Sequence, residues 1–245
     1  MGTKQGMEVF GAGAFYVIGS DGTPRKLAKL QDVALDMQFT TKTLYGDGNL
    51  AAIIARGTAK VTGKVTVARF NADVLNEVFF GQTAIDGQLL TASDEAHAIA
   101  AGAVVLTHVA TFGTDLGVVH AETGVPFKKV TTTPAVGEYS CDAFGSYTFN
   151  ATDNAVNVLV DYTYTSATGG RRIALQNKPV GTTVTFMGIF TQTFNGKTKT
   201  VKLNKLVSSK LSLLATKIED FTIPNFDFEA MVDDSDSLGE ISIAN

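Results

Sequence analysis

Residues Val156-Asn157-Val158-Leu159-Val160-Asp161-Tyr162-Thr163-Tyr164 alternate in character: Val156, Val158, Val160, Tyr162 and Tyr164 stand against Asn157, Asp161 and Thr163. A period of two marks a strand with one buried face. Val33, Leu35, Met37 and Phe39 repeat it against Ala34, Asp36 and Gln38. Thr58–Phe70 extends it, and its interruption at Gly63 predicts a bulge or a bend. Between Thr182 and Leu206, two strand-like runs flank Asn195-Gly196, the strongest short hairpin signal. Glycine is frequent, at 24 residues, against 5 prolines, which suits strands punctuated by turns. The chain reads as mainly β.

One segment changes period. Val74, Leu75, Val78 and Phe79 fall on one face at helical spacing, Asn71 suits an N-cap and Gly81 suits the residue after the helix. A short amphipathic α-helix packed against a sheet is expected over 71–81. Ser208–Ile218 fits a helix and a strand equally, and Ala92–Ala101 is compatible with a helical turn.

Residues 88–168 differ in texture. Short strands are expected at Val104–Phe112, Val118–His120, Phe127–Thr132, Tyr139–Cys141, Ser146–Phe149 and Ala155–Thr165, with the turn spacing of a small β-sandwich. The expected organisation is one β domain from 1–87 and 169–245. Residues 88–168 form a β-rich insertion or an elaboration of the same sheet system.

With 245 residues, of which 44% are hydrophobic and 18% charged, the chain can bury a core without disulfides or metal. Extensive disorder is excluded by the same balance. A net charge of −4 argues against a protein that clamps nucleic-acid phosphates. The single cysteine, Cys141, excludes an intramolecular disulfide. No apolar run follows Lys4, so no signal peptide is read, and Ala96–Ala110 is too short and too interrupted to span a membrane. A soluble protein is expected.

Catalytic patterns fail one by one. His97, His108 and His120 match no ligand spacing for a metal. Cys141 sits in an expected strand, where a small buried hydrophobe is the simpler reading than a nucleophile paired with a histidine. Asn195-Gly196-Lys197-Thr198 imitates a phosphate-binding loop, but Thr191 stands where that loop needs glycine. Asp234 and Asp236 open something like a calcium loop, yet Leu238 fills a ligand position. Asn150-Ala151-Thr152 is a formal glycosylation sequon, and Arg171 and Arg172 follow a glycine-rich turn. No catalytic residue, metal or cofactor is expected, and the chain is read as a non-enzyme.

Several segments taken in order resemble the tail tube proteins of long-tailed bacteriophages. Val33–Phe39 leads through Thr43-Leu44-Tyr45-Gly46-Asp47-Gly48 into Thr58–Phe70, which carries the turn-like Val61-Thr62-Gly63. A short helix ending in Phe80-Gly81 follows. Near the end, Lys217–Pro224, Phe226–Ala230 and an acidic, glycine-containing close are similar to the same family, as is Glu138–Tyr164 to phage virion proteins.

The resemblance implies two packed antiparallel sheets, sandwich- or barrel-like, with one short flanking α-helix near 71–80. It also implies a structural virion protein whose rings, of six subunits, stack into a hollow tube for DNA ejection. The partners implied are the chain itself, then tape-measure, tail-terminator, baseplate or tip and sheath proteins. DNA would be non-specific cargo, no membrane would be involved, and assembly would occur in the host bacterial cytoplasm before the protein resides in the virion tail.

The implied inter-ring loop or hairpin is Thr40, Thr41, Lys42, Thr43, Leu44, Tyr45, Gly46, Asp47, Gly48 and Asn49. The implied assembly arms contain Lys4 and Met7 at one end, and Asp233, Asp234, Asp236, Leu238 and Ile241 at the other, ordering only on assembly. Alternative readings are a capsid decoration or other virion structural protein, and a β-sandwich module that binds a receptor or carbohydrate.

Overall fold

The computed structural model describes residues 11, 13–27, 30–69, 71–213, 221 and 223–244. It divides into two compact units. One comprises the described residues up to Ala84 and from Ile173 onward, and the other is Ile85–Arg172.

The first unit is an eight-stranded antiparallel sheet. Its strands are β1 (Ala14–Ile18), β2 (Pro24–Leu27), β3 (Leu30–Tyr45), β4 (Ala51–Val67), β12 (Thr185–Phe194), β13 (Lys197–Ser212), β14 (Asn225–Met231) and β15 (Gly239–Ile243). They follow the order β2-β1-β12-β13-β14-β4-β3, with β15 also on β13. Alternation sends Phe15, Val17, Val65, Val67, Leu203, Phe226 and Phe228 into one core. Burying such a side chain is worth roughly 1.5–3 kcal/mol. Aromatic rings tie the strands across the sheet: Phe15 stacks on Phe190 at 4.1 Å, and Phe190 lies 5.7 Å from Phe228. The β12–β13 hairpin turns on Asn195 and Gly196, whose φ values of 49° and 76° suit the tight turn expected there.

Gly63 makes neither a bulge nor a break in register. β4 pairs regularly with β14 from Val61 to Thr66, and Gly63 stands directly opposite Phe228. A Cβ there would meet the Phe228 ring at 2.2 Å and the Ala34 carbonyl oxygen at 2.7 Å, so the glycine makes room for the aromatic ring.

The helix is also modified. Helix α1 is Ala72–Leu75, capped by Asn71, whose Oδ1 accepts the Asp73 N–H at 3.0 Å. The next turn, Asn76–Phe80, is a π-helix closed by the Gly81 N–H donating to the Asn76 carbonyl. The Asn76 side chain explains the extra residue. Its Oδ1 accepts the Gln82 N–H at 3.0 Å and its Nδ2 donates to the Gln82 carbonyl at 2.5 Å, so it spans the wider exit. Val74 and Val78 enter the core, and Phe79 meets Phe226 edge-on at 5.6 Å. Residues 208–212 belong to β13, so the first half of the ambiguous segment is strand; 214–220 lie outside the described residues.

The second unit is two packed sheets. One has order β5-β11-β7, from β5 (Ile85–Ala98), β7 (Phe112–His120) and β11 (Asn157–Arg172). The other has order β6-β10-β9-β8, from β6 (Ala103–Val104), β8 (Lys128–Lys129), β9 (Glu138–Cys141) and β10 (Tyr147–Phe149). Val118, Val158, Val160, Tyr139, Tyr147, Phe149 and Tyr162 fill the space between them.

Two expectations are corrected here, and one pair departs from the antiparallel arrangement the sheets otherwise keep. Ala92–Ala101 makes no helical turn, because β5 pairs with β11 through Ala98 and the ladder overrides the local preference of alanine. Val104–Phe112 is not one strand: β6 ends at Val104 and Val109–Thr111 is a 3₁₀ turn. The β8–β9 pair is parallel in an otherwise antiparallel set. Among the described residues, no helix is long and apolar enough to cross a membrane.

Candidate assembly surface

Strands β3 and β4 outrun the rest of their sheet. Strand β14 supports β4 only from Val61 to Thr66, whereas the β3–β4 ladder continues to Tyr45 opposite Ala51. Every residue from Asp36 to Lys60 is exposed. A two-stranded ribbon therefore projects into solvent with neither face covered by another described residue's strand. Its register puts Met37, Phe39, Thr43, Tyr45 and Ile54 on one face. Arg56 lies over the Phe39 ring, 4.6 Å from its centroid. The other face carries Asp36, Gln38, Lys60, Thr40, Thr58 and Lys42, and ends at the tip in Leu44 opposite Ile53. Leu50 is 87% exposed and Ile54 65%.

Of the residues expected in an inter-ring loop, Thr40–Tyr45 lie in β3 and Gly46–Asn49 in the turn beyond it. Of the two forms expected, loop or hairpin, the segment takes the second: it is one strand and the turn of a two-stranded ribbon. The returning half, with Leu50, Ile53, Ile54 and Arg56, has no place in the sequence reading. Ala51-Ala52-Ile53-Ile54-Ala55 lacks strict alternation, and only its position after a glycine-rich turn signals a hairpin.

Lys4 and Met7 lie outside the described residues. The opposite end is folded and is not a free arm. Asp233 organises a turn: Oδ1 accepts the Ser235 hydroxyl at 2.7 Å and the N–H groups of Ser235 and Ser237, and Oδ2 accepts from Asn204 at 2.8 Å. These donors, led by the Ser235 hydroxyl, hold its carboxyl at about 2. Asp234 pairs with Lys205 at 3.1 Å, Asp236 takes a positive φ within the turn, and Leu238 packs against the core. Ile241 sits in β15, opposite Val201 of β13. The acidic close folds because its carboxylates satisfy a turn and its isoleucines extend a sheet.

No protein-family model matches this chain, and no curated protein matches it.

The second unit holds the titratable clusters. Asp115, whose side chain is 4% exposed, accepts from the hydroxyls of Tyr147 (2.7 Å) and Tyr139 (2.9 Å) and pairs with Lys129 at 2.7 Å. Burial opposes its charge, but the bonds from Lys129 and the two tyrosines outweigh it and keep the carboxyl below its ordinary range. Glu95 accepts from Tyr162 (2.6 Å), the Thr107 N–H (2.8 Å) and His97 (2.6 Å). Burial alone would push it up, yet those bonds hold it at about 2.

Both clusters fasten loops and sheets together. Asp115 takes a fourth donor, the Gly117 N–H at 3.1 Å, so each of its oxygens accepts two, whereas Glu95 takes two donors on Oε1 and one on Oε2. His97 and His120 are the register partners of Val158 from its two sides, so an intervening strand separates them. His108 stacks on Tyr164 at 3.9 Å. Burial raises the Cys141 thiol, whose Sγ donates to the Asp142 carbonyl at 3.3 Å. Among the described residues, no three histidine, cysteine or acidic side chains gather as a metal site.

Proposed function

We propose that this protein is a structural subunit of a bacteriophage tail tube, self-assembling into stacked hexameric rings through which DNA leaves the capsid. The observation that carries this reading is the ribbon from Asp36 to Lys60. A two-stranded ribbon is marginal in water by itself. Exposed strand edges bearing Leu44, Leu50, Ile53 and Ile54 are a liability in a monomer and an asset in an assembly. Resemblance in segment order supports the same reading. A net charge of −4 suits a conduit that DNA slides through, since a basic lumen would hold it by counterion release. Tape-measure, terminator and tip proteins are the partners this role entails, with the virion tail as its place.

The test is to replace Thr41–Arg56 by Asn-Gly and compare the shortened chain with the parent by negative-stain electron microscopy and sedimentation. Rings or tubes are expected from the parent. The shortened chain is expected to keep its circular dichroism and melting temperature and to stay unassembled. Tubes formed equally well by both proteins would overturn the reading.

A further inference from the structure

Charge is divided unevenly between the two units. Residues 85–172 hold nine acidic and four basic side chains, a net −5, so the rest of the −4 chain carries +1. Three of those four cations are engaged within the second unit: Lys128 with Glu138, Lys129 with Asp115 and Arg171 with Asp86. A surface with this imbalance draws cationic partners.

One place on that surface is also apolar. An open cleft of about 370 Å³ is lined by Val109, Ala110, Phe112, Ala143, Phe144 and Ser146. Phe144 is 78% exposed. Its turn, between β9 and β10, is fixed by Asp142, whose Oδ1 accepts the N–H groups of Phe144 and Ser146 at 2.8 Å each. A Cβ at Gly145 would meet the Phe112 ring at 2.6 Å, so the turn lies directly against that ring. The cleft's other wall is the 3₁₀ turn Val109–Thr111. Just before it, the Thr107 N–H bonds Glu95 at 2.8 Å and the His108 N–H bonds the Tyr162 hydroxyl at 3.2 Å. Both walls are thus held by the fold before any partner arrives, which lowers the cost of binding.

We propose that this cleft is a docking site for a basic peptide segment of another protein, taking the alkyl stem of an arginine or lysine beside Phe144 and its cation at Asp142. The site lies wholly in the second unit and is independent of the proposed function, which rests on the ribbon of the first. Its lining selects the partner. Asp142 is exposed, and among the described residues no cation pairs with it. Bonds from Ser146 and Phe144 hold its carboxyl below the ordinary range, so it is charged at neutral pH. The open face of Phe144 attracts the same cation, arginine most of all. An anionic partner would meet the net −5, and an uncharged apolar one would leave Asp142 unused. A cleft of this size takes a single side chain, so the contact belongs to the weak, transient class.

The test uses the full chain and a fluorescein-labelled heptapeptide, Gly-Arg-Leu-Arg-Leu-Arg-Gly, followed by fluorescence polarisation at 0.15 M salt. Saturable binding is expected. Phe144→Ala should weaken it at least about tenfold, as for an aromatic anchor. Asp142→Asn keeps an oxygen for the two N–H groups and removes only the charge, so a loss of about three- to fivefold is expected. Glu122→Gln removes the same formal charge beyond the far end of β7, roughly 25 Å from Phe112, and should change binding by less than about twofold. Circular dichroism and melting temperature check each fold, and should Phe144→Ala not fold, Val109→Ser is read in its place. Equal losses in Glu122→Gln and Asp142→Asn, with none in Phe144→Ala, would reduce the binding to net charge and overturn the site. Absence of saturable binding would overturn it as well. Displacement of the peptide by maltoheptaose would give the cleft to carbohydrate and overturn the basic partner.

Discussion

Phe228 of β14 and Gly63 of β4 are register partners, and the phenyl ring occupies the space a side chain at 63 would need. Gly63→Ala should therefore destabilise the first unit by about 1–3 kcal/mol, the usual cost of overpacking a filled site. Urea unfolding followed by circular dichroism measures it. Phe228→Leu in the same chain should recover part of that loss, so the double variant costs less than the sum of the two single ones.

Asn76 is buried, and its amide completes both backbone bonds of Gln82. Asn76→Ala leaves a donor and an acceptor without partners at the end of the π turn. The expected cost is about 1–3 kcal/mol, with faster hydrogen exchange at Gln82. Asn71→Ala, which removes only the helix cap, should cost about 1 kcal/mol.

Glu95 and Tyr162 set opposite limits on the second unit. The Glu95 carboxyl lies at about 2 against an ordinary 4.5, so its stabilisation is full above pH 4.5 and fades as pH falls towards 2. Burial first, and then Glu95, push Tyr162 up to about 12 from 10, so its share is full below pH 10 and fades as pH rises through 12. Thermal unfolding at a series of pH values should show a plateau between these limits. Glu95→Gln should lose about 1–3 kcal/mol at pH 7 and show a weaker decline below pH 4.5.

Cys141 should react slowly. Burial keeps its thiol protonated at neutral pH, and the thiolate is the reactive form. Labelling with a chromogenic disulfide reagent at pH 7 is expected to run at least about tenfold slower in the folded protein than in urea. Fast native labelling would reopen the reading of Cys141 as a nucleophile.

Legibility followed burial. Val156–Tyr164 and the Asn195-Gly196 hairpin are plain in the sequence because one face of each meets a core and the other meets water or a polar layer; in Val33–Phe39 only Val33 and Leu35 meet the core, and the same alternation continues through Met37 and Phe39 onto the exposed ribbon. Ala92–Ala101 is not plain, since small side chains fit helix and strand equally until β11 lies alongside. Gly63 illustrates a different limit: the residue that requires it, Phe228, is distant in the chain. The ribbon was half visible. Thr40–Asn49 announces a turn by composition, whereas 51–56 is strand with no buried face, so nothing imposes alternation on it. The carboxylate clusters at Glu95 and Asp115 draw partners from several strands and loops, contacts that no local spacing encodes.

Discontinuity of the first unit has a consequence for its birth on the ribosome. Strands β1 and β4 emerge early, but their neighbours β12 and β14 lie beyond Ile173. At roughly 5–20 residues per second, the nascent chain spends on the order of ten seconds with half a sheet made. The second unit is one continuous stretch, Ile85–Arg172, and can finish folding within that interval. The β3–β4 hairpin, being local, forms early as well. β15 emerges last, so the nascent subunit acquires its projecting ribbon well before its eight-stranded sheet is complete.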